Sequence, residues 1–122
     1  MLEILLVDGY NILNAWPDLK KAAEHSFNDA RQQLLDIMQD YQGYKGYRII
    51  VVFDAHLIKG GLEKKETAGE VEVVYTRENE TADHYIERWT DGIQKNMHVT
   101  VATSDFLQQT IILSRGATRI SA

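Results

Sequence analysis

Aspartate closes one apolar run after another in this chain. Ile4-Leu5-Leu6-Val7 runs into Asp8, Ile49-Ile50-Val51-Val52-Phe53 into Asp54, and Val99-Thr100-Val101-Ala102 into Thr103-Ser104-Asp105, while Asp83 lies just after the helix-capping Thr81. Apolar, β-branched runs without polar alternation suit strands buried on both faces, as in a parallel sheet, and the carboxyl ends of such strands form the ligand edge. Carboxylates gathered there repel one another at neutral pH unless they share a cation, so the pattern points to a divalent-metal site. Mg²⁺ and Mn²⁺ take hard oxygen ligands and retain water, so an aspartate-only site suits them without histidine.

Each candidate has a plainer use. Asp8 is the leading ligand, with Gly9 beside it removing a side chain where a phosphate would approach; an aspartate after a strand also caps the following turn. Asn11, one helical turn on, could orient substrate or a metal's water, or cap its own helix. Asp83 is not needed as a cap because Thr81 supplies one, although an acid in a first turn is stabilised by the helix dipole. Glu80 and Glu87 stand in reserve near it, as acids that are ordinarily solvated surface. Asp105 follows two hydroxyls at a helix start, which serves a metal-phosphate site or an N-cap equally. Asp54 is a ligand or a group that orients a neighbour. His56 and His84, each close behind a candidate aspartate, could form a metal-free acid-base pair, though nothing in their spacing demands it. Tyr10, Trp16, Tyr44 and Tyr47 could stack on bases or pack in the core, and Lys59, Lys64, Lys65 and Arg77 could steer a phosphate backbone or simply be solvated.

These residues need a scaffold of alternating strands and helices. A first strand over about Glu3 to Val7 leads through Gly9-Tyr10-Asn11 into a short helical turn that Pro17 restarts. Ser26, with Asp29 three residues on, starts a long helix whose Phe27, Ala30, Leu34, Met38 and Tyr41 recur at helical spacing before Gly43-Tyr44-Lys45-Gly46. A second strand covers Arg48 to Phe53; Ala55 to Glu70 reads as a mobile loop; Val71 to Tyr75 is a third strand. Thr81 caps a helix with Ala82, Tyr85, Ile86, Trp89 and Ile93 in one stripe. His98 to Ala102 is a fourth strand, Asp105 to Ser114 a helix closed by Gly116, and Thr118 to Ile120 a last strand. The expectation is one α/β domain, a three-layer α/β/α arrangement on a mainly parallel central sheet of about five strands.

With 122 residues and 44% of them hydrophobic, the chain suits a single core. Having no cysteine, it holds neither disulfide nor thiolate site and suits a reducing compartment. The apolar stretch stopped by Asp8 is too short for a signal peptide or a membrane span, and the expected location is cytoplasmic. A net charge of -5 disfavours a broad basic nucleic-acid surface. Part of that deficit becomes local if the aspartates surround a cation.

Val7-Asp8-Gly9-Tyr10-Asn11, Val52-Phe53-Asp54-Ala55, Glu80-Thr81-Ala82-Asp83 and Ala102-Thr103-Ser104-Asp105 share the order and spacing of YacP-like NYN-domain proteins. Asn14-Ala15-Trp16-Pro17 and Gly116 to Ser121 extend the likeness, so the chain resembles that family over nearly its whole length. The resemblance implies a PIN-like fold and a Mg²⁺- or Mn²⁺-dependent endoribonuclease, bacterial and cytoplasmic, acting on single-stranded mRNA in decay associated with the ribosome. By that analogy Asp8, Asp83 and Asp105 form the acidic, metal-binding core, Asp54 supports it and Asn11 places substrate. Family members usually continue past the Arg119-Ile120-Ser121 segment, whereas this chain stops at Ala122, so residues 1–122 are read as a single NYN domain lacking a C-terminal segment.

Two other classes compete. A phospho-signalling receiver has similar length and alternation, with Asp54 and Thr103 in suggestive places, but it needs a lysine after the last strand and none follows Lys95. A catalytically silent RNA- or protein-binding module on the same scaffold is the other, since fold does not fix function.

Overall fold

A computed structural model describes residues 2–92, 97–102 and 118–120. In chain order the elements are β1 (Leu2–Asp8), α1 (Gly9–Ala15), α2 (Pro17–His25), α3 (Phe27–Lys45), β2 (Arg48–Phe53), β3 (Lys64–Ala68), β4 (Val71–Tyr75), α4 (Ala82–Asp91), β5 (Met97–Ala102) and β6 (Thr118–Ile120). The helix expected over Asp105 to Ser114, with Gly116 as its stop, lies outside the described residues.

The apolar runs become the interior strands of one six-stranded sheet in the order β3-β4-β2-β1-β5-β6. All neighbours are parallel except β3, which pairs antiparallel with β4. Alternate side chains serve opposite faces. Leu5, Val7, Ile49, Val51, Phe53, Val71 and Val73 pack under α1, α2 and α3, whereas Ile4, Leu6, Ile50, Val52, Val74, Val99 and Val101 pack under α4. Helices therefore cover both faces, which is why these strands carry no polar alternation.

Local signals place the helices. Pro17 starts α2, where its missing N–H costs nothing, and Ser26 Oγ accepts the Asp29 N–H at 3.3 Å to cap α3. Thr81 caps α4 by accepting the His84 N–H at 3.2 Å. Phe27 departs from its expected place in the α3 stripe and stands 54% exposed at the first turn. Among the described residues, no helix is long and apolar enough to cross a membrane.

The reading of Ala55 to Glu70 as one mobile loop is corrected. Its second half is β3, paired from Lys64↔Tyr75 to Ala68↔Val71 through the two-residue turn Gly69-Glu70. Gly69 has φ +60, the left-handed conformation that two-residue hairpin turns require and glycine adopts cheaply. Its first half is tied down as well: the Glu78 N–H reaches Gly61 O and the Asn79 N–H reaches His56 O, both at 2.9 Å.

Strand order also sets this chain apart from the receiver class. With the hairpin strand β3 set aside, the five parallel strands run 3-2-1-4-5, whereas a receiver-type sheet runs 2-1-3-4-5. The connections from β1 travel outward through β2 and β4, and the chain then crosses to β5 on the other side of β1. The switch point lies between β1 and β5, and a ligand crevice is expected outside their carboxyl ends.

Candidate functional site at the carboxyl edge of the sheet

β1 delivers Asp8 to that switch point. In the parallel register Asp8 lies level with Val52, and Val7 with Ala102, so β1 and β5 end side by side at this edge. Asp105, together with Thr103 and Ser104, lies outside the described residues. The Asp8 residue is 7% exposed and caps α1, its Oδ1 accepting the Asn11 N–H at a long 3.4 Å. Asp8 is the cap of α1, and its carboxylate is nearly buried at the carboxyl edge of the sheet. Asn11 is not the cap of its own helix; it is the residue being capped, half-buried in the first turn.

Gly9 has a reason inside the core as well: a Cβ built there would fall 2.4 Å from Phe53 Cε1, so the glycine makes room for a buried ring. Phe53 in turn stacks on Tyr75, centroids 5.6 Å apart, and meets Tyr10 at 5.2 Å. A row of rings thereby backs the edge between α1 and β4.

Asp54, directly after β2, turns to its own loop. Its Oδ1 accepts the His56 backbone N–H at 2.9 Å and also contacts His56 Nδ1. Of the two expected uses, the structure displays the orienting one. His56 is therefore a carboxylate-held imidazole, while His84 is exposed on α4, and no hydrogen bond joins the two.

Asp83 sits half-exposed in the first turn of α4, the helix that packs over β1 and β2. Glu80, held in reserve as a ligand, is used structurally: its buried carboxylate accepts from Arg88 Nε at 3.1 Å and from Arg88 Nη2 at 3.0 Å, and Arg77 stands 3.7 Å away. Glu63, from the loop before β3, accepts from the same Arg88 at 2.9 Å. The Glu80 hydrogen bonds raise the Arg88 pKa further above its ordinary range against its burial, with Glu63 adding to the effect. Arg88→Ala leaves the buried Glu80 carboxylate to the more distant Arg77, and because Arg88 is half-exposed the expected cost is about 1–3 kcal/mol. Urea unfolding should show that loss, and adding Glu80→Gln should recover most of it.

Among the described residues no three Asp, Glu or His side chains form a group able to hold a metal ion. Asp54 therefore does not complete a site with Asp8 and Asp83. The donors that remain, carboxylates at the end of β1 and at the start of α4, have the chemistry a hard divalent cation requires.

Of the remaining candidates, Trp16 and Tyr47 pack against the core under α1 to α3, Tyr44 is exposed, and Tyr10 is half-buried at the edge. Lys64 pairs with Glu66, Lys65 with Glu63 and Arg77 with Glu80, which leaves those cations locally compensated.

Comparison with known proteins gives a consistent picture. A sequence model of the YacP-like NYN domain matches residues 5–122. The protein described as uncharacterized protein YacP from Bacillus subtilis (strain 168) is 52% identical over 122 residues, covering 99% of this chain and 71% of that protein. The crystal structure of Rae1 (YacP) from Bacillus subtilis superimposes with a TM-score of 0.81 at 52% identity, over 97% of this chain and 68% of that one. A mutant of the same protein gives a TM-score of 0.83 at 45% identity, over 98% of this chain and 70% of that one. With the sheet, the edge and these likenesses in agreement, the chain belongs to the YacP-like NYN domain family and has its PIN-like fold.

Proposed function

We propose that this protein is a Mg²⁺- or Mn²⁺-dependent endoribonuclease that hydrolyses single-stranded RNA, with Asp8, Asp83 and Asp105 as its acidic core. Membership of a PIN-like NYN family supports a nuclease role. The observation that carries the reading is the nearly buried Asp8 carboxylate at the switch point of the sheet, where the topology leads one to expect a ligand.

In this reading the three aspartates hold the divalent ion, which supplies Lewis acidity and a nucleophilic water to the phosphodiester. The work of the chain's own residues is positional. Asp8 is fixed by its place between β1 and α1, Asn11 orients the substrate from the next turn, and Asp54 secures the loop through His56. Hydrolysis of this kind leaves a 5′-phosphate and a 3′-hydroxyl.

The net charge of -5 bears on how RNA arrives. Lysine and arginine contacts to phosphate supply most sequence-independent affinity, so a chain with an acidic balance gains from a larger partner that presents the strand. A bacterial cytoplasm, the ribosome as that partner and mRNA decay as the setting are the roles proposed here.

End-labelled single-stranded RNA incubated with the protein should be cut internally with Mn²⁺ or Mg²⁺, left intact with EDTA, and left intact by Asp83→Asn in either condition. Products should be substrates for a 5′-phosphate-dependent exonuclease. Cleavage that persists in EDTA, or full activity in Asp83→Asn, contradicts the proposal.

A further inference from the structure

We infer that the pocket formed by Tyr10, Asn14, Phe27 and Arg31 is a nucleotide subsite that takes one unstacked base of the RNA together with its phosphate, an inference that rests on the ribonuclease reading. The pocket has a volume of about 300 Å³ and is lined by those four residues. Two helices build it in the same way. Tyr10 and Asn14 are one turn apart on α1, and Phe27 and Arg31 are one turn apart on α3, so each helix presents an aromatic ring and a polar group on one face. Tyr10 is the second residue after Asp8, and its ring lies against Phe53 at the end of β2, which puts the pocket at the carboxyl edge.

Its chemistry differs from the rest of the surface. Arg48 and Arg88 hydrogen-bond to glutamates and Arg77 stands within ion-pairing distance of one. Arg31 instead donates from Nη1 to Tyr10 Oη and from Nη2 to Asn28 Oδ1, both at 3.1 Å, and among the described residues no carboxylate pairs with it. Two neutral acceptors therefore hold the guanidinium in place without cancelling its charge. Beside it Phe27 keeps more than half of its surface in water, standing edge-on to Tyr10 at 6.1 Å. An exposed ring, a fixed planar cation and the exposed amide of Asn14 match the three parts of a nucleotide. The base stacks on Phe27, its edge meets the amide, and the phosphate accepts from Arg31. In a chain with 18 acidic and 13 basic residues, an uncompensated arginine at the ligand edge selects an anionic occupant.

The test is an NMR titration of the isotope-labelled protein with a single-stranded RNA tetranucleotide in EDTA, where no metal-dependent cutting occurs. Saturable shifts are expected at Tyr10, Asn14, Phe27 and the Arg31 Nε–H. Phe27→Ala should weaken binding about tenfold, as loss of one stacked base does, whereas Tyr44→Ala, an exposed aromatic at the far end of α3, should leave it unchanged. An RNA with an abasic site at each position in turn should show the same tenfold loss at one position. Arg31→Gln should weaken binding and flatten its salt dependence. Shifts confined to other residues, no saturation into the millimolar range, or parental affinity in Phe27→Ala overturns the inference. Parallel cleavage assays keep the two readings apart. If Mn²⁺-dependent cutting is intact and Phe27→Ala binds like the parent, the subsite is wrong and the nuclease stands. If the pocket titrates yet no RNA is cut with any divalent ion, the subsite stands as RNA binding and the nuclease reading fails.

Discussion

Asp8→Asn is expected to lower metal-dependent RNA cleavage at least about 100-fold while moving the melting temperature by no more than about 2 °C. Asparagine caps a helix as well as aspartate does, so α1 keeps the acceptor that Asp8 Oδ1 now offers to the Asn11 N–H. The substitution removes the charge alone. Replacing a group that merely supports a metal ligand typically costs 10–100-fold in metal affinity or activity, and loss of a ligand itself should reach or exceed the upper figure. A thermal titration provides a second, independent readout. Mn²⁺ that binds only the folded parent raises its stability by about 2.7 kcal/mol at a hundredfold excess over Kd, and Asp8→Asn should show little of that rise. Asp8→Ala gives the contrast, losing both the charge and a cap worth about 1 kcal/mol. If the asparagine variant cuts RNA at the parental rate, Asp8 is a helix cap and nothing more.

Much of this architecture is legible in the chain because burial on both faces leaves a plain signature. Leu5 and Leu6, or Val51 and Val52, are consecutive and buried on opposite sides, which only a sheet covered by two helix layers allows. Caps were equally readable, since Ser26 and Thr81 act through single hydrogen bonds to residues three positions on. β3 was not. Lys64, Lys65, Glu66 and Thr67 are all exposed, so no hydrophobic pattern marks them; the strand exists through its backbone bonds to β4. The legible clue lay elsewhere, in Gly69-Glu70, a turn pair that joins two strands when glycine comes first. Charged side chains along such an outer strand also discourage pairing with another chain, which explains why the sequence there looks like a loop.

At the site, strand ends could be read and side-chain partners could not. Asp8 and Asp54 were located by the runs that precede them, but whether a carboxylate faces a cation, a backbone N–H or an arginine depends on residues far away in sequence. Glu80 is buried because Arg88 and Arg77 neutralise it, and Asp54 is turned aside by His56. The Phe27 and Arg31 pair is hidden in the sequence for a similar reason. A phenylalanine at helical spacing with Ala30 and Leu34 looks like core, and only the arrival of α1 beside α3 leaves its ring at a pocket mouth.

The tightest constraint beside the carboxyl edge of the sheet is steric, and its expected effect on stability is large. Gly9→Ala places a methyl group 2.4 Å from Phe53 Cε1 and 2.5 Å from Cδ1, well inside van der Waals contact. The ring has nowhere to retreat, being fully buried, stacked on Tyr75 and abutted by Tyr10. Overpacking of this kind costs about 1–3 kcal/mol, a loss that alanine's better helix propensity at the start of α1 only partly offsets. In a domain of this size each kcal/mol lowers the melting temperature by about 3–5 °C. Phe53→Leu removes the offending ring edge and by itself should cost about 1–2 kcal/mol through imperfect filling of the space. The double variant should then be more stable than the sum of the two losses implies, by about 1 kcal/mol or more, because the clash is shared by the pair. Function should follow the same logic. Gly9 adjoins Asp8 and Phe53 adjoins Asp54, so the displacement that Gly9→Ala forces reaches both turns at the carboxyl edge, and RNA cleavage should fall in the single variant and recover in the double. Strictly additive melting data would show that α1 shifts to accommodate the methyl group and that the ring does not set the position of Asp8.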